Sequence, residues 1–513
     1  MVGGPVAALD GWRLIRRYAV PGWMIAECTE ARERGDWRTA CEAARVTVAF
    51  SDPDVAGEVA DLLAGFAPDL LRWHLPRALD GSAALATGLR LVLAPEGPVT
   101  ADTTVLGVRT PRRWVGSSQR LTLHAVRAGD IAEGPVFPLP PWLWDARRAA
   151  ELPAATEPEP RHRAPEGQGI LEPWTAAGWS LDPADIRDWR QSELGLVRGV
   201  APGLAAHELR RLVAQFGRGS WELRFGYYIV RPDEHLRLEL DGTQPRLARR
   251  AATPSQPGPT RADLCLHPAF LRSPVDLQLV RHGRIGVEEL HPLVRAALFP
   301  SAPTGQPADA GLVPAGFAEG ERIRVRCGPD WHAIGLRGGR LDLLHHTDDE
   351  RRRERALRAI GGTANGCFAV DLAWHDGTGA LPRRLHTYRR DLWRRMQHGG
   401  SRVVLALLDA GLDPQLRDER GRTLLHRLHQ FESAEVLPRL LAEGLDVNAH
   451  DWHGLTPMCE AVAHTAPPAL LRALNEAGAL PPLSEPSAGP ETWSDPWIGS
   501  EPPDESPDAH VCS

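Results

Sequence analysis

Lysine does not occur in this 513-residue chain; all 59 basic residues are arginine. The absence excludes several chemistries in their usual form. A P-loop needs its lysine on the nucleotide phosphates, and protein kinases need a strand lysine paired with a glutamate. Pyridoxal enzymes and Schiff-base aldolases need a nucleophilic amine. Phenylalanine and tyrosine are also sparse, 10 and 4 against 17 tryptophans. Residues with GC-rich codons prevail over those without, so the composition points to a bacterial, high-GC genome. Arginine richness is therefore a weak sign of nucleic-acid binding. Seven cysteines are scattered over the chain without a Cys-x-x-Cys pair, so neither a zinc ribbon nor a redox motif is expected. Apolar runs are short. WRLIRRY interrupts any signal-like core near residue 12, and no run approaches the ~20 apolar residues of a membrane span. These features predict a cytoplasmic chain with free thiols.

What is present is a repeat near the C-terminus. Asp418, Gly421 and Thr423 recur 33 positions later as Asp451, Gly454 and Thr456. The same step takes Gly411-Leu412-Asp413 to Gly444-Leu445-Asp446, and a step of 34 takes Gly444 to Gly478. One copy reads DERGRTLLHRLH followed by VLPRLLAEGLDVNAHD. The next reads DWHGLTPMCEAVAH followed by ALLRALNEAGALP, and a degenerate copy, DLWRRMQHGGSRVVLALLDAGLDPQLRD, precedes both. A helical unit of this length has too little partner surface to bury its apolar face alone, so neighbouring units must stack.

Roles follow from position. Gly444 and Gly478 are placed to end helices in the left-handed region that glycine adopts cheaply. Thr423 and Thr456 are placed to cap first helices. Leu425, Leu428, Val436, Leu437, Leu440 and Leu441 recur at helical spacing and should fill the shared core.

This pattern resembles ankyrin repeats over about residues 386–483. Thr423-Leu424-Leu425-His426 keeps the threonine and histidine of the family's Thr-Pro-Leu-His start but lacks proline. Thr456-Pro457-Met458-Cys459 keeps threonine and proline but lacks histidine. The resemblance implies structural roles for Gly421, Thr423, His426, Gly444, Asn448, Gly454, Thr456, Pro457 and Gly478. It implies a protein partner at the turn tips, Arg417, Glu419, Arg420, Arg422, Trp452 and His453, and on first-helix faces at Arg427, Gln430 and Glu460.

The rest of the chain reads as α+β. The expected organisation is an α-rich N-terminal domain with some strands (1–150), a Pro-rich linker (151–169) and an α+β middle domain (170–380). Three ankyrin repeats forming an α-solenoid (386–483) and an acidic tail without order (484–513) complete it. In 1–150, GDWRTACEAARVTVAF places Trp37, Ala40, Cys41, Ala44 and Val48 on one helical stripe. PDVAGEVADLLAGF and PDLLRWHLPRAL read as further helices, and LRLVLAP, TTVLGVRT and QRLTLHAV alternate as strands. In 170–380, HELRRLVAQF and VEELHPLVRAALF read as helices. ERIRVRCG, WHAIGLRGG and RLDLLHH read as a strand meander with glycine turns.

Candidate chemistry is thin. His345-His346 before Asp348, Asp349 and Glu350 is better explained as a strand end feeding an acidic helix N-terminus. His207-Glu208 lacks the second histidine of a zincin helix. Gly167-Gln168-Gly169 lacks the preceding strand of a dinucleotide loop, and Gly116-Ser117-Ser118 lacks a nucleophile elbow's flanking glycine. His426 and His429 lie three apart, but His426 fits the family's structural histidine. No catalytic, cofactor-binding or metal-ligating residue is assigned, and no cofactor is expected. The reading is a monomeric cytoplasmic adaptor that binds a protein partner, not nucleic acid or a membrane. The alternative is an enzyme or toxin-like effector with its site in 170–370 and the repeats as targeting module; a deep polar pocket there would favour it.

Overall fold

The computed structural model describes residues 5–50, 52–111, 118–152, 168–181, 197–224, 236–249, 262–303, 305, 311–315, 317, 320–376, 379–431 and 433–481. The acidic tail expected at 484–513 and residues 153–167 of the expected linker lie outside them. The described residues mix helix and strand. None of their helices is long and apolar enough to cross a membrane.

The first helices form where expected and stop for local reasons. Asp36 caps the helix Trp37–Ala43 by accepting the Thr39 N–H at 3.0 Å. The helix ends early because Arg45 takes a positive φ of 56°, so Val48 lies in a strand and not on the predicted helical stripe. PDVAGEVADLLAGF divides into two short helices, Pro53–Glu58 and Ala60–Gly65. Proline likewise splits VEELHPLVRAALF into a turn at Val287–Glu289 and a helix at Pro292–Leu298.

Ten short strands form one sheet. They are β1 (Val46–Val48), β2 (Arg90–Leu93), β3 (Thr104–Arg109), β4 (Leu121–Arg127), β5 (Pro135–Pro138), β6 (Ser180–Leu181), β7 (Ser220–Leu223), β8 (Leu236–Asp241), β9 (Gln244–Arg249) and β10 (Asp263–Leu266). Their spatial order is β1-β4-β3-β2-β5-β10-β7-β8-β9-β6. Strands expected in separate domains, 1–150 and 170–380, thus hydrogen-bond within one sheet.

That order contains its own duplication. The path β1-β4-β3-β2-β5 recurs as β6-β9-β8-β7-β10, with matching senses of pairing. β1–β4 and β6–β9 are parallel, the next two pairs in each half are antiparallel, and β2–β5 and β7–β10 are parallel. The halves meet at the parallel pair β5–β10. Such an order corresponds to rotation about an axis along the strands, which exchanges the faces of the sheet. The cores agree. Phe137 and Leu139 face a core built with the helices of residues 9–75. Leu264 and Leu266 face a second core with Leu209 and Leu212 of the helix Pro202–Phe216. Both central strands then run into a turn led by proline, Pro141–Leu143 and Pro268–Leu271.

Buried ion pairs join the ends of this body. Arg16 binds both carboxylate oxygens of Asp276 at 2.8 and 2.9 Å. Asp69 accepts from Arg32 at 2.6 Å and faces His291 Nε2 at 3.0 Å.

A second, antiparallel sheet follows as the meander read from sequence: β11 (Glu321–Cys327), β12 (Asp330–Arg337) and β13 (Arg340–Leu343). The helices Asp348–Ala359, Gly366–Asp376 and Arg383–Gly399 lead on to the repeat segment. The Trp374 indole donates to the Gly339 carbonyl at 2.8 Å, and Asp413 N–H donates to the Gly338 carbonyl at 3.0 Å. The β12–β13 turn therefore seats the start of the repeats.

Candidate functional site

The 33-residue step is written in hydrogen bonds. Helices end at Gly411, Gly444 and Gly478 with φ of 93°, 79° and 88°. At each end the following residue donates back to a carbonyl five positions earlier: Leu412 to Leu407, Leu445 to Leu440, Ala479 to Leu474. This is the bonding that a left-handed residue after a helix permits. The loop tips match as well. Asp418 Oδ1 accepts the N–H of Arg420 and Arg422, and Asp451 Oδ1 accepts the N–H of His453 and Leu455. Gly421 and Gly454 take φ of 74° and 75°.

Adjacent units are tied together by polar side chains. The Thr423 N–H donates to His426 Nδ1 at 3.1 Å, so the ring proton resides on Nε2, which donates to the Leu455 carbonyl at 3.0 Å. Burial lowers the His426 pKa and keeps the ring neutral in that role. Asn448 donates to the Gly478 carbonyl at 3.0 Å and accepts the Leu480 N–H at 2.8 Å. Thr456 caps the helix that begins at Pro457, accepting the Cys459 N–H at 3.3 Å. Thr423 differs: its hydroxyl meets His426 Nδ1, and the helix beyond it, Leu425–Gln430, is of the 3-10 type. The predicted apolar positions are buried, with Leu441 only partly so.

Gly444 offers a clean test of the helix ends. No atom lies within 4 Å of a Cβ built there, so substitution costs only backbone strain. Gly444→Val is expected to lose about 1–2 kcal/mol in urea unfolding of the full chain, and exposed Glu443→Ala far less. Equal stabilities would refute this account of the end.

The residues expected to face a partner divide into two groups. Trp452, His453, Arg420 and Glu419 are exposed at the tips, and Arg417 is partly buried where it donates to the Gly421 and His450 carbonyls. Arg422, Gln430 and Glu460 are buried, and Arg427 nearly so, which corrects their assignment to a contact face. Arg422, Arg427 and Glu460 take part in an internal ionic network instead. Asp418 Oδ2 accepts from Arg422 at 3.0 Å and Arg427 at 2.7 Å, and Arg422 reaches Glu460 at 3.6 Å. Burial raises the pKa of Glu460, but the hydrogen bond to His464 and the Arg422 charge outweigh it and hold the group down at about 2. Spacing along one helix could not reveal this, because the covering surface comes from elsewhere in the chain.

The arginine-rich helix Arg383–Gly399 and its neighbour are likewise engaged. Arg389 donates to the Ala373 carbonyl at 3.2 Å, and Arg395 pairs with Asp391 at 2.8 Å. Arg402 binds both oxygens of Glu27, at 2.6 and 2.8 Å. Arg45 donates to the carbonyls of Gln397, His398 and Gln430, at 3.0, 3.0 and 3.1 Å. Arg402 and Arg45 thus tie this segment to the N-terminal body, while Arg389 and Arg395 are engaged closer in sequence; the arginines with such partners are not free to form a basic face for nucleic acid.

A second constellation lies in the small sheet, where the sequence assigned no ligands. Cys327, His332, His346 and Cys367 bring one Sγ or ring nitrogen each to within 4.8 Å of one another. Their spacing in sequence matches no local metal motif. The His345-His346 pair is the one part of it weighed from sequence; the Cys-x4-His step from Cys327 to His332 across a Gly-Pro turn is a further, weak signal. Beside this cluster an open depression of about 280 Å³ is bordered by Leu341, Arg351, Glu354, Arg355, Phe368 and Asp371.

No family model matches this chain. An 84-residue stretch is 33% identical to Ankyrin repeat-containing protein P1E11.10 of Schizosaccharomyces pombe, covering 16% of this chain and 41% of that protein. A segment of the chain is thus similar to an ankyrin repeat protein, and the similarity spans less than half of that relative.

Proposed function

We propose that the chain is a protein-interaction adaptor whose C-terminal segment is an ankyrin-type stack, held rigidly on the ten-stranded body and binding a partner protein through its loop tips. The observation that carries this reading is the tip at Trp452. The indole is 47% exposed and the neighbouring Leu455 38% exposed, on a loop fixed by the Asp451 side chain and by the Trp452 N–H bond to the Arg420 carbonyl at 3.1 Å. A rigid tip that presents an aromatic and an aliphatic side chain has the form of a binding anchor. Similarity to an ankyrin repeat protein supports the same reading.

The test uses the full chain as bait. Trp452→Ala is expected to weaken partner capture at least ~10-fold, as loss of an anchor does. It should cost at most about 2–3 kcal/mol of stability, the worth of burying half of a tryptophan, since the other half is already in water. Because the ring also packs over Gly421, a large loss of stability with unchanged capture would make Trp452 structural and refute the anchor.

A further inference from the structure

We propose that Cys327, His332, His346 and Cys367 bind one zinc ion in a tetrahedral site that fastens the small sheet to the helix Gly366–Asp376.

The donor set is the first argument. Two thiolates and two imidazoles are a common structural set for zinc, and four protein ligands leave no open position. The distances are the second. Zinc–sulfur bonds of about 2.3 Å and zinc–nitrogen bonds of about 2.0–2.1 Å place tetrahedral ligand atoms roughly 3.3–3.8 Å apart. Cys327 Sγ stands 3.7 Å from His346 Nε2, and His332 Nδ1 stands 3.0 Å from the same nitrogen. All four donor atoms converge within 4.8 Å.

The fold explains the convergence. In the β11–β12 hairpin Cys327 pairs with Asp330 and Val325 with His332, so Cys327 and His332 are diagonal neighbours on one face. His346 follows β13 and lies just before the helix Asp348–Ala359, with its ring against Phe368 at 4.5 Å. Cys367 sits in the first turn of the next helix and is fully buried. Gly366 makes the approach possible. It has φ of 57°, and a Cβ there would stand 2.6 Å from Cys327 Sγ. The backbone thus brings the two sulfurs together and tolerates no side chain beside them.

A carboxylate stands near the outer nitrogen of His346, beyond hydrogen-bond distance. His346 Nδ1 lies 3.8 Å from Glu350, whose carboxylate is itself fixed by the Thr347 N–H at 2.7 Å. A carboxylate behind a ligating histidine orients the ring and raises its basicity. The cluster His429, Glu460 and His464 is a weaker candidate, because Arg422 lies 3.6 Å from its only carboxylate and opposes a second cation.

The consequence is mechanical. The helix that carries Cys367 also carries Trp374, bonded to Gly339, and Ala373, whose carbonyl accepts from Arg389. Zinc at this point would lock the seat of the repeat stack.

The experiment is elemental analysis of the full-length chain, with cobalt(II) substitution. The expected result is one zinc per chain and, with cobalt, a tetrahedral spectrum with thiolate charge transfer. Cys327→Ser and Cys367→Ser should each lose bound zinc, while Cys459→Ser and His464→Ala retain it. Chelation should lower the unfolding temperature of the wild type and of Cys459→Ser. Should a cysteine variant fail to fold, the cobalt spectrum of the wild type decides alone: charge transfer from two thiolates supports the site, and its absence overturns it. Iron in place of zinc, a Cys327–Cys367 disulfide in metal-free protein, or zinc retained by the folded Cys327→Ser, Cys367→Ser double variant overturns it as well.

Discussion

Residues 400–483 expressed without the rest of the chain are expected to show no cooperative thermal unfolding. The helix Ser401–Asp409 buries Val403, Val404 and Leu407, and its neighbour Arg383–Gly399, which buries Leu392 and Met396, is removed in that fragment. The Gly338 carbonyl that receives Asp413 N–H is lost with it. So is Arg45, the buried guanidinium that donates to the carbonyls of Gln397, His398 and Gln430, the last of which lies inside the fragment. Few stacked units remain, close to the minimum for a shared core. The same contact can be removed in the intact chain. Arg45→Met leaves those three carbonyls without their guanidinium donor and is expected to cost about 3 kcal/mol or more, at about 1–3 kcal/mol for each buried group left unpaired. Circular dichroism during heating reads both. A cooperative transition for the fragment, or a wild-type melting curve for Arg45→Met, would show that the repeats stand alone.

Asp418→Ala should be the most damaging single change among the repeat residues, at about 3–5 kcal/mol, the range for removing one partner of a buried ionic network. One carboxylate serves four donors: two backbone N–H groups of the tip and the guanidinium groups of Arg422 and Arg427. Asp446→Ala is the control. It removes one exposed side-chain acceptor for the Asn448 N–H, and the expected cost is below about 1 kcal/mol. The network also has a pH signature. Burial raises the Asp418 pKa, but Arg427 and Arg422 outweigh it and the group stays ionised below the usual aspartate range. Its contribution is therefore complete above the unfolded value of about 3.9 and is lost as the pH falls from there through the lower folded value. Acid unfolding of Asp418→Asn should show less dependence on pH in that window than the wild type. Similar losses for Asp418→Ala and Asp446→Ala would refute the network's central role.

Several features of this protein were legible in its sequence because their causes are local. Gly411, Gly444 and Gly478 mark helix ends because a left-handed residue is needed there whatever lies around it. Thr456 is readable as a cap because the bond it makes spans three residues. Alternation sets β11, β12 and β13, and the step of 33 residues sets the repeat. The core leucines followed from helical periodicity alone.

The tertiary structure decided everything that depends on what covers a surface. The expected contact residues Arg427, Gln430 and Glu460 lie on first-helix faces and Arg422 at a tip, yet Arg422 and Arg427 turn inward to Asp418, Glu460 is buried with them, and the Gln430 backbone is held by Arg45 from 385 residues earlier. One sheet joins strands on either side of the Pro-rich stretch, because hydrogen bonding between β5 and β10 depends on register in space and leaves little trace in residue identity. Cys327 and Cys367 lie forty positions apart, and only the hairpin, the strand end and the left-handed Gly366 bring their sulfurs to the same point. Local bonds and backbone angles are set by the residues that make them. Burial, pairing and ligand geometry belong to contacts between distant segments, and those exist only once the chain has folded.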